Sequence, residues 1–296
     1  MTGQILGDWG STRLRLWLCE NGQPIDRADG PGIAVQTVDR EAELASLIAC
    51  WRGRADDRPV FLCGMVGARN GWVEAPYLPC PVGIEAWRAS AKAVDTASVA
   101  VRIAPGLSGR NFADAPDVMR GEETQIFGAL ALAPELAHGP ATVVLPGTHS
   151  KWTALRDGAV QRFQTVMTGE LFALLRDHSA LAALPHEGEA GAGYEDGLAA
   201  AETGAPLAAL FAARSRQLVD GKGRAWALEY LSGLLIGGEL VAMRQATGAD
   251  AITLVGAAEL LPRYAHAAER FGMVARSLDG EACAIAGLLA LAGDRS

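Results

Sequence analysis

The chain has 296 residues, 26 Lys and Arg against 34 Asp and Glu, a formal charge of −8 at neutral pH and a hydrophobic share of 50%. That length builds one large or two ordinary domains around a core that needs no disulfide staple, and an acidic balance without a basic run argues against a nucleic-acid partner. The five cysteines are scattered without CxxC or Cys/His ligand spacing; no basic-then-apolar leader opens the chain and no apolar run approaches the roughly 20 residues that cross a bilayer, so reduced thiols in a cytoplasmic protein away from membranes are expected.

In chain order, strand-like "QILGDW" turns through Gly10-Ser11-Thr12 into "TRLRLWLC", which turns again at Asn21-Gly22. Helix-like "DREAELASLIACW" follows, then strand "PVFLCGM", an irregular stretch over 63–81, helix "GIEAWRASAKAV", strand "SVAVRIA" and helix "GEETQIFGALALA". The second half opens on strand "ATVVLP", turns through "GTHS" into "KWTALR", turns again at Asp157-Gly158 into "AVQRFQTV" and continues as helix "GELFALLRDHSALAAL". Helix "AWALEYLSGLLIGGELVAMRQA", strand "AITLVG", helix "AELLPRYAHAAERF" and strand "GMVARSL" follow. Alternation of the two apolar periods argues for an α/β fold.

Residues 4–28 and 142–166 repeat one pattern of strand, Gly-hydroxyl turn, strand, tight turn, strand. Asn-Gly and Asp-Gly suit a two-residue hairpin because both positions tolerate positive φ. The repeat predicts two related domains, 1–138 and 139–296, each presenting one hairpin to a shared cleft.

The turns Gly10-Ser11-Thr12-Arg13 and Gly147-Thr148-His149-Ser150-Lys151 can each aim several N–H groups and a hydroxyl at one anion, or simply join strands. Asp8, beside the first turn, either caps it or holds a magnesium ion against phosphates, a task for which one or two carboxylates suffice. Glu122 and Glu123 open an apolar helix, where they meet its dipole or serve as a general base. In the stretch 63–81, Arg69, Asn70 and Trp72 clamp an organic acid or pack the loop, and Arg69 offers a planar fork to a carboxylate. Thr168 reads as a helix N-cap. Gly256, at a strand end, suits a close backbone approach or an ordinary junction, while Gly237 and Gly238 read as helix packing. No Walker A or G-x-S-x-G pattern is present, nor a histidine pair at metal spacing.

In this order the parts resemble the actin-like ATPase and sugar-kinase superfamily, in which two ribonuclease-H-like domains close on ATP. Within it, "DWGSTRLRLW", "CGMVGARNGWVEAPYLPCP", "MRGEETQIFGAL", "LPGTHSKW" and "MTGELFALLRDHS" resemble the 2-dehydro-3-deoxygalactonokinase family over nearly the whole chain. The resemblance implies transfer of phosphate from ATP, with Mg²⁺, to the terminal 6-hydroxyl of 2-dehydro-3-deoxy-D-galactonate. It puts the phosphate motifs on Asp8 to Thr12, with Arg13 beside them, and on Gly147 to Ser150, with Lys151 beside them; the adenosine motif falls on Gly256 and Ala257, and the metal on Asp8. Arg69, Asn70, Trp72 and Thr168 become substrate contacts, and Glu122, favoured over Glu123, the base. Two departures stand out: Pro146 replaces the acidic residue often found before the second turn, and two glutamates follow Gly121 where many sugar kinases have an aspartate. The expected partner is a small sugar acid, with a homodimer compatible. A polyphosphatase-like hydrolase, whose "RGEETQ" would activate water, and an actin-like nucleotide-binding protein without catalysis are the competing readings.

Overall fold

Both tight hairpins form, with φ of 53° and 74° at Asn21 and Gly22 and of 50° and 74° at Asp157 and Gly158. The structure, a computed structural model, describes residues 3–35, 39–55, 58–97, 99–182 and 188–293. Ser98 and residues 183–184, at the ends of two predicted elements, lie outside the described residues. The fold is mixed α/β, as the alternation predicts, and the chain divides into two compact units.

The first unit begins with an antiparallel meander of β1 (Gln4–Trp9), β2 (Arg13–Glu20) and β3 (Gln23–Pro31). Helix α1 (Arg40–Ile48) is capped by Asp39, whose carboxylate accepts from the N–H groups of Glu41 and Ala42, and leads into β4 (Val60–Cys63), which lies parallel to β1. Next come β5 (Tyr77–Pro79), α2 (Ile84–Ala89), β6 (Lys92–Asp95), β7 (Ala100–Ile103), β8 (Gly106–Arg110), β9 (Pro116–Met119) and α3 (Glu122–Leu132). The main sheet has the order β3-β2-β1-β4-β7-β6, and a smaller one β5-β8-β9. The predicted helix "GIEAWRASAKAV" is corrected: it stops at Ala89, where Ser90 bonds back to Ala86, and Lys92–Asp95 pairs antiparallel with β7. The ladder overrides the local preference of the alanines. Leu14, Leu16, Leu18, Trp9, Trp51, Leu62 and Ile103 form the core under the main sheet.

The five-stranded sheet joins β10 (Pro140–Leu145), β11 (Ser150–Arg156), β12 (Ala159–Val166), β13 (Ala251–Gly256) and β14 (Val274–Asp279) in the order β12-β11-β10-β13-β14, of which β13 whole and parts of the others fall in the second unit. The helices of that unit are α4 (Thr168–His178), α5 (Gly193–Ala201), α6 (Pro206–Ala209), α7 (Ala212–Val219), α8 (Arg224–Thr247) and α9 (Leu261–Arg270). Helices α5 and α8 meet through glycines: a Cβ on Gly197 would lie 2.2 Å from the Tyr230 carbonyl, and one on Gly237 2.7 Å from Ala201. Packing is thus the role of Gly237, as its place in an apolar helix predicts. Helix α8 is 24 residues long and holds an 18-residue window of mean hydropathy 1.2, enough by length and composition for a membrane span, which corrects the expectation that no run comes near. That window is 61% buried inside the protein, and the helix carries a buried carboxylate, Glu239.

The last helix, α10 (Gly280–Ala292), returns to the first unit. It crosses α3 so closely that a Cβ on Gly128 would lie 1.8 Å from the Cys283 carbonyl, and one on Gly287 1.9 Å from that of Thr124. The compact units are therefore Met1–Ala141 with Thr153–Phe163 and Leu278–Ser296, and Thr142–Trp152 with Gln164–Ser277. The far part of the second hairpin and α10 are thus grouped with the earlier segments of the chain. All five cysteines are unpaired, with Cys19, Cys63 and Cys283 buried and Cys50 exposed.

Candidate active site

In the first unit, Asp8 and Arg15 stand opposite each other across the β1–β2 pair and their side chains form an ion pair of 2.5 Å. Arg15 also reaches Glu281 at the start of α10, 3.4 Å away. The hairpin closes through the Gly10 N–H donating to the Arg13 carbonyl, 3.0 Å. The segment behind the turn then uses the turn's carbonyls: Ile33 donates to Gly10 and Ala34 to Ser11, at 3.0 and 3.1 Å. The N–H groups of Ser11 and Thr12 have no protein acceptor among the described residues, and Ser11, Thr12 and Arg13 are exposed. Backbone donors left open at an exposed turn form an anion cradle.

Two left-handed glycines bring the acidic helix to this turn. Gly64 (φ 90°) follows β4, and a Cβ there would sit 2.9 Å from both Asp8 Oδ1 and the Trp9 carbonyl. Gly121 (φ 104°) precedes α3, and its Cβ would sit 3.3 Å from the Gly64 Cα. Any side chain at 64 would push into Asp8, so the chemistry of the turn and that of α3 share one wall. Glu122 is half-buried and accepts from the Arg120 N–H at 3.1 Å. Glu123 is fully buried and accepts from the Gly121 N–H at 2.7 Å and from the Thr124 hydroxyl at 3.3 Å. Burial, and then the neighbouring Glu122 carboxylate, push the Glu123 carboxyl up to about 8, so it holds its proton at neutral pH.

The stretch 63–81 forms a short turn at Met65–Gly67 and then β5. Arg69 and Asn70 are exposed, whereas Trp72 packs on the core and meets Trp9 edge-on with 6.1 Å between ring centres. The packing role weighed for Trp72 is therefore present.

In the second unit the turn Gly147–His149 lies against the first turn of α4. Glu170 donates to the Thr148 carbonyl at 3.0 Å, and a Cβ on Gly169 would lie 2.5 Å from the Gly147 carbonyl. The exposed His149 ring meets the Glu170 carboxylate. As in the first turn, carbonyls are consumed from behind, and the N–H groups of Gly147, Thr148 and His149 have no protein acceptor among the described residues. The expected Ser150 and Lys151 lie deeper: both are buried, and Ser150 shares a 3.1 Å hydrogen bond with Tyr264. Thr168 is no N-cap. The helix starts at Thr168 itself, and its hydroxyl donates to Glu239, which also accepts from Trp152 at 2.7 Å and Tyr264 at 2.8 Å. Burial raises the Glu239 carboxyl, and those donors partly offset it. No local pattern in the sequence marks Glu239, which is buried within the apolar α8.

Beside this turn lies a cavity of about 380 Å³, walled by Phe172, Leu235, Ile236 and Leu260 and closed on one side by Glu229, Ser232 and Arg263. Arg263 forks onto Glu229 at 3.2 and 2.7 Å and bonds Ser232 at 2.9 Å. Gly256 is buried at the end of β13 with 3.6 Å between a Cβ there and the Pro146 carbonyl, and Ala257 is exposed beside it. Each group of expected residues is thus brought together within its own unit: Asp8 to Arg13 with Glu122 and Glu123 in the first, Gly147 to Lys151 with Thr168, Gly256 and Ala257 in the second.

Turns with open N–H groups and an acidic pair at a helix start thus stand on a mixed α/β fold. The fold alone is shared with the (R)-2-hydroxyglutaryl-CoA dehydratase component A of Acidaminococcus fermentans, at 10% identity and a TM-score of 0.52 over the full length of both chains. The 2-keto-3-deoxy-galactonokinase family matches residues 8–291, and this chain belongs to it. It is 37% identical to the 2-dehydro-3-deoxygalactonokinase of Escherichia coli K12, covering 99% of this chain and 98% of that one. A crystal structure of a 2-dehydro-3-deoxygalactonokinase-like protein from Sinorhizobium meliloti superposes with a TM-score of 0.88 at 35% identity, covering 98% of each chain.

Proposed function

We propose that this protein transfers the γ-phosphoryl group of ATP to the terminal 6-hydroxyl of 2-dehydro-3-deoxy-D-galactonate. The observation that carries the reading is the wall shared by Asp8, Gly64 and Gly121, which sets a phosphate-type turn beside two carboxylates in a chain of this family. In the reaction, Glu122 takes the proton from the attacking hydroxyl. A bond forms between the hydroxyl oxygen and the γ-phosphorus, the bond to the β-phosphate bridging oxygen breaks, and ADP leaves with the electron pair. Glu122 is the better base because Glu123 already carries a proton at neutral pH. The open N–H groups of Ser11 and Thr12, and of Gly147 to His149, hold phosphate oxygens. Adenosine is assigned to the cavity beside the second turn, whose volume is in the range of small-ligand pockets, and Gly256 and Ala257 to its binding motif.

Asp8 is the residue that would hold Mg²⁺. The donor set fits: one carboxylate beside open phosphate donors is what magnesium takes when phosphates and water complete its shell. Bound there, the ion neutralises charge on the phosphates. The two units are read as ribonuclease-H-like domains, and Arg69 and Asn70 as residues facing the sugar acid. A sugar-acid kinase that draws on ATP belongs in the cytoplasm. The test is phosphate transfer from ATP to a panel of keto-deoxy sugar acids, with the product analysed. Transfer that depends on the acid supports the reading; phosphate released equally without it overturns the reading in favour of a hydrolase.

A further inference from the structure

We propose that Arg120 receives the carboxylate of the sugar acid, and so makes the enzyme select an anionic acceptor over a neutral sugar. The inference rests on the kinase reading and deepens it. Arg120 sits one residue before Gly121, at the junction of β9 with the acidic helix, and is only 8% exposed. None of the guanidinium's hydrogen bonds goes to a carboxylate. Nη2 donates to the Ala75 carbonyl at 2.8 Å, Nε to the Tyr77 hydroxyl at 3.3 Å, and the guanidinium lies 4.2 Å from the centre of the Tyr77 ring. Nη1 is buried without a partner among the described residues. A buried guanidinium bonded only to neutral groups, with donors unspent, carries a desolvation cost that an incoming carboxylate relieves.

Position supports the same ligand. The guanidinium holds the stretch 64–77 from beneath while the backbone N–H of the same residue bonds the Glu122 carboxylate, 3.1 Å away. One residue therefore touches both the base candidate and the loop. A keto-deoxy acid carries its charge on the first carbon and its reacting hydroxyl on the sixth, so it needs an anchor beside the catalytic acids and separate from them. Gly67 covers Nη1: a Cβ there would lie 2.9 Å from it. The carboxylate reaches Nη1 as that segment lifts, replacing the Gly67 contact with hydrogen bonds to charge. Exposed Arg69, on the tip of the same loop, presents no such unspent buried donor.

The experiment compares wild-type, Arg120→Gln and Arg120→Lys protein on the acid and on its neutral analogue, in which the carboxylate is reduced to a hydroxymethyl group. Acid binding without nucleotide is measured alongside by calorimetry, and thermal unfolding checks each variant. Wild type is expected to favour the acid about a hundredfold. Arg120→Gln loses about a hundredfold in kcat/KM and in affinity for the acid but only a few-fold on the neutral analogue, and Arg120→Lys, which keeps charge without the fork, loses about tenfold on the acid, as expected for a charge-assisted pair. Equal proportional losses on both acceptors would mean that Arg120 only staples the loop, and the proposal would fail. If Arg120→Gln does not fold, Arg120→Lys decides by the same ratio. Wild-type protein that phosphorylates neither acceptor overturns the kinase reading itself, and the inference with it.

Discussion

The hairpins β1–β2 and β10–β11 solve one problem with different means. In each, a segment packed behind the turn takes up its carbonyls and leaves N–H groups facing outward: Ile33 and Ala34 do so for the first, Glu170 for the second. In each, a glycine permits the contact, since a Cβ on Gly32 would lie 2.2 Å from the Ser11 carbonyl and one on Gly169 2.5 Å from that of Gly147. They differ in charge. The first carries Asp8, held by Arg15; the second has Pro146 before its glycine and instead rests on a buried carboxylate, Glu239, that ties Thr168, Trp152 and Tyr264 together. The first turn stands beside a carboxylate paired with an arginine, the second beside one that is buried and bonded to neutral donors.

That contrast breaks most sharply at Asp8. Asp8→Asn is expected to cut kcat/KM by about a thousandfold or more, the scale of losing a charge that acts on the transition state; a loss of only a few-fold would remove the distinction between the turns. Glu122→Gln is expected to lower kcat by about a hundredfold or more while KM for ATP changes little, as for loss of a general base. Glu123→Gln sharpens the comparison through pH. The folded carboxyl titrates near 8 against an ordinary 4.5, so between those values the unfolded chain releases a proton that the folded protein keeps. Wild-type stability therefore falls as pH rises from about 5 to about 8, and the glutamine variant, lacking that term, gains on it by roughly a few kcal/mol across the window. Thermal unfolding without nucleotide or metal at the two pH values checks this.

In the second hairpin the effects are smaller. Glu239→Gln leaves one of its buried donors without an acceptor and is expected to cost about 1–3 kcal/mol, read as a lower unfolding midpoint. Gly169→Ala is expected to raise KM for ATP by about tenfold and leave KM for the acid unchanged, because the methyl group must push the Gly147 turn; strain of about 1–3 kcal/mol is usual for such overpacking. A change confined to the acid would detach this turn from the nucleotide.

Much of this was legible in the sequence where the signal is local. Asn21-Gly22 and Asp157-Gly158 specify their hairpins within two residues, and the acids at 122 and 123 sit in the first turn of α3 as their spacing predicts. What escaped is set by contacts between distant residues. Ser150 and Thr168 look like surface hydroxyls until Tyr264 and Glu239 are placed beneath them. Gly64 and Gly121 reveal their purpose only when strand β4 and helix α3 meet, and Arg120, in "MRGEET", is one more arginine until the loop 64–77 folds over it. The strand at Lys92–Asp95 was hidden for the same reason, since only pairing with β7 makes it a strand.

The return of α10 sets an order of events during synthesis. The second unit has all its residues once Ser277 is made, whereas the first still lacks the helix whose backbone presses against Gly128 and Thr124. The unit that holds β1 is thus completed after the other, and until then one side of α3 stands bare. A nascent chain stalled before α10 would present that apolar side to chaperones, and a fragment ending near residue 141 would inherit the same defect for good.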